Sequence, residues 1–204
     1  MGDTLLYKGL QVPWVTRWTG EVPAGAQVDV VLEQGEPVVR YADGIEFRDD
    51  HGVLWQREGI RRGGEPQFAQ VSAYRQRAAM RGGKCQVCGQ RITDRPIRWL
   101  MDPVQLTHLR DGTALTFSPP TCTGCVDVAL DACPHLRNND RLILSVLEYR
   151  IWGVWGDMVR LDPGEAEPKV QYAKRANISY DRPDLGAAIA KQQLVQLTKF
   201  AIAT

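Results

Sequence analysis

Two Cys-x-x-Cys pairs, Cys85/Cys88 in KCQVCG and Cys122/Cys125 in TCTGC, constrain this chain more than any other feature. Thiolates at i and i+3 on a tight knuckle can bind one ion together. Two such knuckles complete the four-sulfur tetrahedral shell that structural zinc prefers. The spacing therefore predicts a single Zn2+ held by Cys85, Cys88, Cys122 and Cys125. Gly89 follows the first pair and permits the positive φ that closes a knuckle. A fifth cysteine, Cys133, makes the total odd, and the opening MGDTLLYKGL lacks a secretory signal, so the pairs are expected to be metal thiolates and not disulfides.

The second pair is expected to open a helix. After Ser118-Pro119-Pro120-Thr121, the residues Val126, Ala129, Leu130 and Cys133 fall at i, i+3, i+4 and i+7, one apolar stripe that ends at Pro134. Strand candidates at Ile97–Met101 and Leu115–Phe117, turned by Asp111-Gly112-Thr113, supply a hairpin between the pairs. Knuckle, hairpin and ligands at a helix start describe a treble clef. Cys133 lies on the apolar stripe and is expected to be a buried free thiol. His135, past Pro134, is expected to cap the helix or sit on the surface, because no second cluster of ligands accompanies it.

The flanks divide the chain into four regions. Residues 1–68 are β-rich, with alternation over Val28, Val30 and Leu32, turn chemistry in EQGEP, and a hairpin turn at DDHG between Phe47 and Val53. Residues 69–137 hold a basic helix, started by Ser72 and ended by Gly82-Gly83, and then the zinc module. Residues 138–172 form a β-hairpin packed on the core, two strands within RLILSVLEYRIWGVWGDMVRL with a bulge or bend at Gly153 and Gly156, followed by a polar loop at residues 162–171. Residues 173–204 form a C-terminal helix, because Ala187, Ala190, Leu194, Leu197 and Ala201 recur at three-to-four spacing after Pro183-Asp184. That helix packs on its own domain or on a partner. The fold class is α+β: a small β-rich sheet, a central treble clef and a C-terminal helix.

Composition narrows the function classes. Lysine and arginine number 25 against 24 acidic residues, a net charge of +1, so no global basic field advertises nucleic acid. The densest local cluster is Arg75, Arg77, Arg81 and Lys84, which is either a solvated helix face or a candidate nucleic-acid surface that meets phosphates. No stretch reaches the roughly 18 apolar residues of a spanning helix, which predicts a cytoplasmic protein without a membrane partner. Catalytic signatures such as GxSxG, Walker A, GxGxxG and HExxH are absent. An HNH-type nuclease, which can share the treble clef, needs a general-base histidine with further His or Asn ligands. Only His108 lies between the pairs, flanked by Thr107 and Leu109, and Val126 follows Cys125 where such an enzyme places a histidine. Asp49, Asp50, Asp127 and Asp131 have turn or solvent-face explanations.

The stretch from Val12-Pro13-Trp14-Val15, through RQRAAMRGGKCQVCG, to PPTCTGCVDVALDACPHLR resembles small zinc-knuckle proteins encoded by actinobacterial genomes, phages and integrated elements. This resemblance implies a treble-clef zinc core and a mobile-element setting, and it carries over no activity. Among phage accessory proteins, recombination directionality factors, which bind a serine integrase, suit the size and the lack of catalytic residues. The expected function is a non-enzymatic accessory or regulatory factor that contacts a protein partner such as a recombinase, directly or on DNA. A DNA-binding transcriptional regulator and a degenerate HNH-like nuclease are the alternatives.

Overall fold

The computed structural model describes residues 5–21, 27–59, 61–133, 136, 140–162 and 169–203. Its first part carries β1 (Leu6–Tyr7), β2 (Leu10–Gln11), β3 (Thr16–Trp18), β4 (Val28–Glu33), β5 (Glu36–Tyr41), β6 (Leu54–Trp55) and β7 (Pro66–Val71). Helix α1 (Ala73–Gly82) follows, then β8 (Ile97–Met101), β9 (Leu106–His108), β10 (Ala114–Thr116), β11 (Pro120–Thr121) and α2 (Val126–Ala132). The last part is β12 (Leu142–Asp162), β13 (Lys169–Ser179) and β14 (Ala188–Ile202).

Strands β12 and β14 form the spine. They run antiparallel from Leu144↔Ile202 to Met158↔Ala188 and sit at the centre of an eight-stranded sheet ordered β11-β8-β12-β14-β10-β9. Each shares its outer edge between two shorter neighbours. On β12, residues Leu142 to Val146 pair with β8 and residues Gly153 to Asp162 pair with β13. On β14, Ile189 and Ala190 run parallel to β6, and Val195 to Leu197 pair with β10. Between those neighbours the backbone of Gln193 would be left open, and the Gln76 side chain fills the gap. Its Oε1 accepts from the Gln193 N–H at 2.8 Å, and its Nε2 donates to the Gln193 and Phe117 carbonyls at 2.9 and 2.7 Å. One buried amide thus substitutes for a strand residue, which is why a polar side chain sits fully buried on α1.

Two apolar clusters lie at opposite ends of this spine. One packs Val39, Val53, Leu54, Trp55, Val154, Met158 and Ile178 beneath the β4–β5 hairpin. The other packs Met80, Ile97, Trp99, Met101, Leu144, Val146, Val195 and Leu197 beside the cysteines. Three local expectations within the first 83 residues hold. Gln34 and Gly35, both at positive φ, turn β4 into β5. Asp49 to Gly52 forms a hydrogen-bonded turn at DDHG. Ser72 caps α1, and Gly83 ends it in the left-handed region at φ 58°.

Three longer-range expectations are corrected. Residues 142–162 are one strand and not a hairpin: a Cβ on Gly153 or Gly156 would lie 2.0 Å from the carbonyl oxygen of Ile178 or Ile189. Those glycines let neighbouring backbones approach and let the register shift, instead of reversing the chain. The C-terminal helix is also absent, because residues 188–202 form β14, preceded only by a 3-10 turn at Leu185–Ala187. Gln193 to Leu197 are buried without interruption. Burial on both faces erases the in-out alternation that reveals a strand, leaving a spacing that mimics a helix. Finally, the hairpin between the cysteine pairs forms with its turn at Asp111 to Thr113, but β10 pairs with β9, while β8 joins β11 and β12.

Candidate metal centre

The first knuckle grows out of the end of α1. Past Gly83, the Cys85 N–H donates to the Gln90 carbonyl at 2.8 Å and the Gly89 N–H to the Cys85 carbonyl at 2.9 Å, closing residues 85–90 into a tight loop. Gly89 takes φ 72°, and the position of its missing Cβ lies 2.7 Å from the Trp14 ring, so glycine serves both the turn and the close packing. The N-terminal segment grips this loop from outside. Trp14 and Val15 donate backbone N–H groups to the carbonyls of Val87 and Gln86 at 2.9 and 3.1 Å.

The second knuckle is delivered by the sheet. Strand β11 pairs with β8 through Pro120↔Trp99 and Thr121↔Arg98 and leads directly into Cys122. A single 3-10 turn, with the Cys125 N–H on the Cys122 carbonyl at 2.9 Å, then brings Cys125 to the start of α2. Gln86 links the two knuckles: its N–H donates to the Pro120 carbonyl and its Nε2 to the Thr121 hydroxyl, both at 2.8 Å.

The four sulfurs of Cys85, Cys88, Cys122 and Cys125 all lie within 4.8 Å of one another, with Cys88 and Cys122 at 3.9 Å. Metal–sulfur bonds of about 2.3 Å in a tetrahedron put neighbouring sulfurs about 3.8 Å apart. The separation is far beyond the about 2.05 Å of a disulfide, and all five cysteines are free thiols. The donor set therefore fits one metal ion. Its electrostatics point the same way. Burial pushes the Cys85 thiol up to about 11 and drives Cys125 upward as well, helped there by the neighbouring sulfurs. Burial also opposes ionisation of Cys88, but hydrogen bonds from the Gln90 N–H and the adjacent thiols outweigh it and lower that thiol. With one thiol lowered and two raised, the cluster disfavours carrying several thiolates at once, a conflict that a bound cation resolves.

The other candidate residues are not brought to this centre. Cys133 ends α2 half-buried on the wall of a groove, not buried in the core as the stripe predicted. His135 lies outside the described residues. His108 is exposed on β9, opposite Ala114, with no cluster of metal-ligating side chains around it among the described residues.

The four basic residues are also split up. Arg75 is buried against Glu21, whose two carboxylate oxygens accept from its guanidinium, and it donates to the Thr16 carbonyl at 2.6 Å. Arg77 stacks over the Trp55 ring at 4.4 Å, and Arg81 donates to the Gln193 amide and pairs with Asp50 at 3.6 Å. Lys84 lies over Trp14 at 5.6 Å.

Two features of the structure had no local signal. Trp14, which lies in the β-rich first region, covers the knuckle. Asp49, expected only as a turn residue, has a side chain with no exposure and accepts from Trp55 Nε1 at 2.9 Å, Tyr180 Oη at 2.7 Å and the N–H groups of His51 and Val53. No helix among the described residues is long and apolar enough to cross a membrane. No protein-family model, curated protein or solved structure matches this chain.

Proposed function

We propose that this chain is a non-enzymatic, zinc-stabilised accessory protein that works by presenting rigid contact surfaces to a protein partner. The observation that carries the reading is the closure of four thiols on one point. Four thiolates complete the tetrahedral shell, which is the mark of a structural zinc site, whereas catalytic zinc keeps a position open for water or substrate. An all-sulfur tetrahedral set also selects zinc over harder divalent ions. The first knuckle, the β9–β10 hairpin and α2 carrying Cys125 at its start support the treble-clef description of this module. In its most specific form the reading makes the chain an accessory factor of a phage or mobile element, contacting a recombinase such as a serine integrase.

The direct DNA-binding alternative draws less support. A phosphate-tracking face needs several free cations on one side of a helix, and here Arg75 is committed to Glu21 and Arg81 to Asp50. The nuclease alternative would rest on His108 alone.

Affinity capture from the native host, repeated after nuclease treatment, tests the reading. A protein partner retained after nuclease treatment is the expected result. Loss of every partner with the nucleic acid, together with steeply salt-dependent DNA binding by the purified chain, moves the function to DNA. Metal-dependent nicking abolished by His108→Ala would make it an enzyme.

A further inference from the structure

A groove of about 710 Å³ runs along the molecule between the β3–β7 sheet and the main sheet, and strand β7 forms one of its walls through Phe68, Ala69, Gln70 and Val71. The sheet of β3 and β7 has only two strands, so β7 has β3 on one side and a free edge on the other. Even its pairing with β3 is incomplete. The register jumps from Thr16↔Val71 to Arg17↔Gln67, leaving Phe68, Ala69 and Gln70 extended, exposed and opposite no residue of β3. A free strand edge is a template for another strand, and proteins normally cover or blunt it. Here nothing among the described residues pairs with it.

The remaining lining fits an extended polypeptide. Leu100, Met101, Phe117 and Trp155 give an apolar floor, and the side-chain amides of Gln11, Gln56, Gln70 and Gln192 make no hydrogen bond among the described residues. The cations of the lining, Arg17, Arg175 and Lys191, slightly outnumber its carboxylates, Glu58 and Asp102. Glu58 is committed to capping α1 through Ser72 and the Ala73 N–H, and Lys191 is paired with Asp157. Asp102 accepts from the Val104 N–H. Arg17 and Arg175 line the groove without an ion-pair partner among the described residues. We infer that this groove captures an acidic, extended segment of a partner protein, which adds as a strand to the free edge of β7 with alternate side chains on the apolar floor. The inference rests on the protein-contact reading above and names its surface.

A single-stranded nucleic acid is also anionic, but it needs a series of open aromatic platforms and a track of cations. In the groove Phe68 is exposed, whereas Phe117 and Trp155 pack on one another with centroids 5.3 Å apart.

The test is a selection from a random short-peptide library on the zinc-loaded protein, followed by titration of a labelled selected peptide. Selected peptides are expected to alternate apolar and acidic residues. Ala69→Pro, which removes an edge N–H, should weaken binding about tenfold or more, and so should N-methylation of alternate peptide amides, which leaves the protein untouched. Arg17→Glu combined with Arg175→Glu should weaken it further. Thermal midpoint and zinc content report whether the variants fold, and the methylated peptide decides if Ala69→Pro does not. No enriched pattern, equal binding of methylated peptides, or tighter binding of an oligothymidylate each overturns the inference. A host partner captured equally well by wild type and Ala69→Pro defeats the groove while leaving the protein-contact function standing. Capture of no protein at all defeats both.

Discussion

The two ends of the β12–β14 spine are closed by different chemistry. At one end Trp99 and its neighbours pack beside four thiols that need a cation to coexist as thiolates. At the other, Leu54 and Trp55 pack around a carboxylate, Asp49, whose two oxygens accept from two ring donors and two backbone donors of the chain itself. The second end is self-sufficient, and the first gathers a donor set that could hold an ion from outside. A common spine with unlike closures should fail in two separable ways.

Metal removal is the largest expected effect. Structural zinc in small modules contributes about 10–16 kcal/mol of apparent binding free energy at neutral pH, comparable to the whole stability of a typical domain. The purified protein should carry close to one zinc ion per chain, and Cys85→Ser or Cys122→Ser should lose it. Amide hydrogen exchange should then show protection collapsing in residues 85–101 and 120–132 while the β4–β5 hairpin and β6 retain theirs. Undiminished folding after complete chelation would remove the metal from the account, and uniform loss along the chain would show that the ends are not separable.

The next effect belongs to the other end. Asp49→Ala leaves the Trp55 indole N–H and two backbone N–H groups without an acceptor, in a site whose side chain has no exposure. Stranded buried donors, together with the loss of charge-assisted bonds, should cost about 3 kcal/mol. Denaturant titration should register this, while zinc content should stay at the wild-type level. A variant that released its zinc would show that Asp49 acts through the spine on the distant knuckles.

The metal end was largely legible in the sequence because its information is local. Cys-x-x-Cys spacing fixes which atoms meet, and Ser72, Gly83 and Gly89 announce caps and turns by their own backbone preferences. The Asp49 end was not legible, because Tyr180 lies 131 residues away along the chain and nothing near Asp49 specifies that partner. Strand β14 misled for the opposite reason: burial on both faces removed the pattern on which a local reading depends, and the alanines at positions 187, 188 and 190 suited a helix. Arg75 likewise advertised a basic surface until Glu21, distant in sequence, enclosed it.

Changes of pH should separate the ends further. Burial alone would raise the Asp49 carboxyl, but its hydrogen bonds from Trp55, Tyr180 and the backbone hold it below the ordinary 3.8. A depressed carboxylate stabilises fully above its unfolded value and loses that contribution as pH falls through the folded one. The gap in thermal midpoint between wild type and Asp49→Asn should therefore be constant above pH 3.8 and narrow below it. Tyr180 has the opposite sign: burial and the bond to Asp49 push it up to about 12, from an ordinary 10.0. Its contribution should be intact below pH 10 and disappear as pH rises toward 12, so wild type should lose ground to Tyr180→Phe in that window. Alkali favours thiolates and should leave the metal end intact there. A gap that ignored pH in both windows would show that neither group titrates as its surroundings require.

The smallest effect is a matched pair of glycines, one at each end. Gly35 turns β4 into β5 at φ 87° with nothing within 4 Å of an added Cβ, so Gly35→Ala should cost only the left-handed strain, about 1 kcal/mol. Gly89 closes the first knuckle at φ 72°, and there three Trp14 ring atoms lie at 2.7, 2.8 and 2.9 Å from the added Cβ. The ring cannot recede freely, because the Trp14 N–H is bonded to the Val87 carbonyl within the same knuckle. Gly89→Ala should therefore cost about 2 kcal/mol, the same strain plus displacement of a packed aromatic. A shifted tryptophan emission should accompany it, with zinc retained. Equal costs at the two positions would mean that Trp14 yields without penalty, and the clamp that the N-terminal segment places on the metal centre would carry no energy.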